Sequence, residues 1–74
     1  MTLEEIKPGE TCKVVGFERK GPLRRRIMDM GIIKGTIIHV VRVAPLGDPM
    51  EVKARGYELS LRKEEASNVL VELE

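Results

Sequence analysis

The chain has 74 residues, 42% hydrophobic and 34% charged, with 13 Lys plus Arg against 12 Asp plus Glu and a formal charge of +1. That length allows one domain, residues 1–74, and its thin core leaves no room for a deep substrate cavity, so an enzyme is not expected. The balanced charge lacks the cationic excess that neutralises phosphates, and two aromatics, Phe17 and Tyr57, make no stacking platform, so nucleic acid is not an expected partner.

Thr2 to Ile6 reads as a short helical turn, with Thr2 and Glu5 at capping-box spacing and Pro8-Gly9 ending it. No apolar signal region or spanning run is present, and Cys12 is the only cysteine, so no internal disulfide can form. A cytoplasmic protein without direct membrane insertion is expected. Thr11 to Arg19 reads as a strand. Thr11, Lys13, Val15 and Phe17 share one face and Val14 the other, and Gly16 marks a bulge or a close approach.

Gly21-Pro22 opens a helix over Pro22 to Met30, since proline at the first helical position loses no hydrogen bond. Leu23, Ile27 and Met30 form its apolar stripe, Arg25 and Asp29 are spaced for a surface pair, and Gly31 is the stop. After the Lys34-Gly35 turn, Thr36 to Ala44 is the strongest strand signal, rich in Ile, Val and Thr. Pro45 to Pro49 is a stiff loop. Met50 to Arg55 and Glu58 to Arg62 read as a hairpin turning at Gly56-Tyr57. Lys63 to Ser67 is a turn or a single helical turn. Asn68 to Leu73 is the last strand, with Val69, Val71 and Leu73 on one face. Five short strands in so short a chain predict a small closed β-barrel, mainly β, with one short α-helix and an aliphatic core.

The run Met30-Gly31-Ile32-Ile33-Lys34-Gly35-Thr36, followed by Val40-Val41-Arg42-Val43-Ala44-Pro45-Leu46-Gly47-Asp48-Pro49, resembles the FeoA family of small accessory proteins of ferrous iron uptake. The stretch Leu59-Ser60-Leu61-Arg62-Lys63-Glu64-Glu65-Ala66 is similar to the same pattern. The resemblance runs from about Leu3 to Val71, and its most specific part is the Ala-Pro-Leu-Gly-Asp-Pro loop. It implies an SH3-like barrel. It also implies a partner, the cytoplasmic GTP-binding part of a FeoB-type ferrous iron transporter, for which this chain would be a regulatory adaptor. The same barrel type resembles the C-terminal domain of metal-dependent repressors, which leaves a transition-metal sensor as the alternative.

The residues themselves offer two places for docking. Pro45, Leu46, Gly47, Asp48 and Pro49 form a loop that two prolines stiffen, which lowers the ordering cost of binding. Leu46 either stands exposed as an apolar anchor or caps the core above a plain Gly47-Asp48 turn. Arg24 and Arg25, with Arg26 beside them, either meet an acidic partner surface or fan over a solvated helix face. A bound cofactor is not required. Iron or zinc would need three or four ligands, and Cys12 and His39 are the only soft metal-ligand types besides the methionines. No CxxC, HxH or phosphate-binding glycine loop is present, so the chain is not itself the GTPase. Pairing of an apolar barrel edge between copies leaves a homo-oligomer as a further expectation.

Overall fold

The computed structural model describes residues 1–74. After a 3-10 turn at Leu3–Glu5 come β1 (Thr11–Phe17), α1 (Pro22–Asp29), β2 (Ile37–Val43), β3 (Met50–Ala54), β4 (Tyr57–Leu61), α2 (Lys63–Ala66) and β5 (Val69–Leu73). The strands form one antiparallel sheet of order β4-β3-β2-β1-β5. The expected mainly β fold with a short helix is present. The barrel is not closed by hydrogen bonds, however, because no ladder joins β4 to β5.

Two bulges curl the sheet around its core. On β1 the register against β5 shifts between Val14 and Gly16. On β2 the register against β3 shifts between Val40 and Arg42. Each inserts a residue, Val15 or Val41, that points outward, and each adds bend and twist. This separates Val15 and Phe17, which the two-residue period placed on one face, and Gly16 lies at the bulge that it marked. Cys12 and Val14 are buried, and the extra residue returns Phe17 to the core side three positions later. The core is aliphatic, as composition required. Ile38, Val40, Val52, Leu61, Val69 and Val71 come from the sheet, Leu3 and Ile6 from the N-terminal turn, and Ile27 and Ile32 from α1 and the segment after it.

The local signals act as their chemistry dictates. Thr2 N–H donates to Glu5 Oε2 at 2.7 Å, and this bond, with that of the Thr2 hydroxyl, holds the Glu5 carboxyl below its usual range. Pro22 starts α1, Ile27 is its fully buried residue, and Gly31 at φ 91° ends it. The hairpin turn falls at Arg55-Gly56, one residue earlier than expected. Both residues have positive φ, 55° and 82°, as a type I′ turn needs, and Tyr57 is already paired with Ala54. Arginine is an uncommon residue in that conformation, so its residue type does not mark position 55 as part of a turn.

Candidate docking surface

The β2–β3 loop is built as a closed β-turn. Gly47 N–H donates to the Ala44 carbonyl at 2.7 Å, and Ala44 N–H donates to the Pro49 carbonyl at 3.0 Å. Pro45 and Leu46 are the two central turn residues, and proline suits the first of them. Leu46 is thereby pushed to the tip, where 91% of it is exposed. It does not cap the core. Asp48 is not a free recognition group: its Oδ1 accepts the Lys63 N–H at 3.0 Å, which pins the loop to the start of α2.

The same short helix reaches α1 from its other side. Glu65 Oε2 accepts Arg26 Nε–H at 3.2 Å and Nη2–H at 3.1 Å, while Oε1 accepts the Arg62 N–H at 2.8 Å. The Glu65 side chain is 6% exposed and that of Arg26 58%, so a buried carboxylate is matched by a guanidinium that is still hydrated. The ion pair of α1 is thus Arg26–Glu65, rather than the expected Arg25–Asp29. Arg24 and Arg25 line a shallow cleft at the start of α1, together with Pro22 and the exposed Met28. The two predicted docking sets therefore lie on separate elements that α2 holds together.

Sequence reasoning missed Glu65 and Asn68. Asn68 is fully buried; its Oδ1 accepts Arg19 N–H at 2.7 Å and its Nδ2 donates to the Arg19 carbonyl at 3.2 Å. This anchors the segment that leads into α1. Glu65 carried a usable signal, an acidic residue three positions after the residue preceding a helical turn. Asn68 carried none, because its partner is 49 positions away.

The soft ligands do not converge. Cys12 pairs with Ile38 and points into the core, whereas His39 lies on the outer face opposite Thr11. Thr11 Oγ1 and His39 Nδ1 share a 2.9 Å hydrogen bond. Burial, with smaller contributions from Glu10 and Glu74, pushes the Cys12 thiol up to about 11, so it is protonated at neutral pH. No three His, Cys, Asp or Glu side chains are grouped within reach of one ion, so the residues of one copy do not fit a transition-metal centre. No helix is long and apolar enough to cross a membrane.

Comparison with known proteins gives a consistent result. A family model described as the FeoA domain matches residues 1–73. A fusion of Fe(2+) transport protein A with the Fe(2+) transporter FeoB, from Porphyromonas gingivalis, is 41% identical over 73 residues. The match covers 99% of this chain and 9% of that protein, so the chain spans less than a tenth of the length of this relative. The NMR structure of a FeoA-like protein from Clostridium acetobutylicum superposes with a TM-score of 0.93 at 46% identity, covering 99% of this chain and 85% of the other. A zinc complex of FeoA from Stenotrophomonas maltophilia, described as a prokaryotic SH3 domain protein, superposes with a TM-score of 0.84 at 28% identity, covering 97% and 89%.

Proposed function

On the premise that this chain belongs to the FeoA family, we propose that it is a non-catalytic accessory of ferrous iron uptake. It works in the cytoplasm by docking on the cytoplasmic part of a FeoB-type transporter. The observation that carries this reading is the P. gingivalis fusion, in which a segment 41% identical to this chain is covalently joined to the transporter. Fusion raises the effective concentration of two modules that act together. Two modules that act together also need a surface on which they meet.

The β2–β3 loop supplies the anchor of that surface. Its backbone is pre-ordered by the Gly47 and Ala44 hydrogen bonds and by the Asp48 tether, so docking freezes little additional freedom. Leu46 offers a nearly complete apolar side chain for burial. Arg24 and Arg25 add positive charge that speeds encounter with an acidic surface. Docking shifts the transporter between states only in so far as one state binds this chain more tightly.

The test is an amide NMR titration of the labelled chain with the transporter's cytoplasmic domain, with and without guanine nucleotide, on the parent and on Leu46→Ala. Burying a leucine is worth about 1.5–3 kcal/mol, so the variant should bind roughly 10- to 100-fold more weakly. Its stability should change by less than about 0.5 kcal/mol, because Leu46 touches no core. An unchanged Kd, or a spectrum silent at saturating partner, would remove the loop from the interface or the domain from the list of partners.

A further inference from the structure

The two edges of the sheet are treated differently. The outer edge of β5 is covered by the chain's own N-terminus: Val71 N–H donates to the Met1 carbonyl at 2.9 Å, and Thr2 bridges Leu70. The outer edge of β4 is bare, since β4 has β3 as its one strand neighbour and no backbone hydrogen bond to any loop. Apart from its short length and the charge of Glu58, it lacks the usual guards. The segment Tyr57-Glu58-Leu59-Ser60-Leu61 contains no proline, no lysine and no bulge.

The hairpin decides which groups the edge presents. A two-residue turn makes Ala54 and Tyr57 the closing hydrogen-bonded pair. Alternation along the antiparallel ladder then directs the N–H and C=O of Tyr57, Leu59 and Leu61 to β3, and those of Glu58 and Ser60 outward. Tyr57, Leu59 and Leu61 share the core side of the strand. Leu61 is buried and Leu59 half-buried, and Tyr57, at the open end, is 71% exposed.

We propose that β4 is a dimerisation edge, where a second copy of this chain pairs antiparallel about a two-fold axis at Leu59. In this register Glu58 pairs with the second copy's Ser60, and Ser60 with its Glu58, so all four outward groups of each copy are used. Tyr57 covers the second copy's Leu61, and the two Leu59 side chains meet on the axis. The strand is self-complementary in this register and in no neighbouring one. Slipping the pairing by a single position turns the apolar side outward. Slipping it by two one way sets Glu58 against the second copy's Glu58, a repulsive pair. Slipping it by two the other way requires the backbone of Arg62, which is already committed: its N–H to Glu65 Oε1, and its carbonyl to the N–H groups of Glu65 and Ala66. The interface is isologous, as a two-fold contact must be. A five-residue edge is far smaller than a permanent interface, so association is expected on the order of 0.1–1 mM.

Sedimentation equilibrium from roughly 10 µM to roughly 1 mM tests this on the parent and on Ser60→Pro. Proline removes an N–H that faces away from β3 and is tolerated on an edge strand. The parent mass should rise with concentration, and Ser60→Pro should weaken association at least tenfold while keeping a dispersed amide spectrum. In parallel, Leu59→Cys should form a disulfide-linked dimer on mild oxidation, since its mate on the axis is itself, while Ser60→Cys should not. Cys12 is fully buried and does not compete. A mass that stays monomeric throughout, or undiminished association of Ser60→Pro, overturns the proposal. So does cross-linking through Ser60→Cys in preference to Leu59→Cys, a comparison that decides the matter even where the proline variant fails to fold.

Discussion

The Arg26–Glu65 pair joins α1 to α2, and its lopsided burial makes its energetics predictable. Arg26→Ala leaves the Glu65 carboxylate buried with one of its three hydrogen bonds, that from Arg62 N–H. Charge-assisted bonds to a partly hydrated guanidinium put the loss at about 1–2 kcal/mol. Glu65→Ala removes the same pair and also the Arg62 N–H cap, itself worth about 1 kcal/mol, for a total of about 2–3 kcal/mol. For a domain of this size that lowers Tm by roughly 10–20 °C. Once Glu65 is gone, Arg26 is a solvated side chain, so the double variant should match Glu65→Ala within about 0.5 kcal/mol. Urea unfolding of the parent, the two single variants and the double variant, followed by circular dichroism, closes the cycle. Additive losses would refute the reasoning, because they would mean that Arg26 acts through something other than Glu65.

Two further outcomes follow from single residues. Cys12 should resist iodoacetamide in the native protein at pH 8 and react once urea unfolds it; alkylation at equal rates in both would contradict its burial. Its folded pKa, about 11, lies above its ordinary 9.0. The protonated thiol is therefore the form that the fold favours, and its contribution is complete below pH 9 and lost as pH rises to 11. Cys12→Ala should accordingly lose less stability than the parent between those values, by up to about 2–3 kcal/mol, and parallel pH profiles would refute the shift. Arg55 occupies a left-handed conformation at φ 55°, which costs a residue with a side chain about 1 kcal/mol. Arg55→Asn should raise the urea midpoint by the equivalent of about 0.5–1 kcal/mol at unchanged slope, and a lowered midpoint would mean that the arginine makes a compensating contact.

What could be read from the residues was local or compositional. The scarcity of aromatics, Phe17 and Tyr57 alone, required an aliphatic core. Pro22 and Gly31 bounded the helix, Gly16 marked the bulge, and the periodicity of Val69, Val71 and Leu73 laid out the last strand, because each signal acts through its immediate neighbours. The spacing of the Ala-Pro-Leu-Gly-Asp-Pro loop pointed to the family by resemblance, again without any contact between distant parts of the chain.

Only the tertiary structure decided the rest. Whether Leu46 capped the core or stood free depended on where the Ala44–Gly47 turn aimed it, and the answer is 91% exposure. Asp48, read as part of a recognition loop, spends its carboxylate on Lys63 N–H, a partner 15 positions away. Cys12 and His39 come from adjacent strands, yet the pleat puts them on opposite faces, with the thiol in the core and the imidazole against Thr11. The bare edge of β4 follows from strand order alone. Pairing, facing and burial are properties of contacts between segments far apart in the chain, and a pattern confined to one segment carries no record of what folds against it.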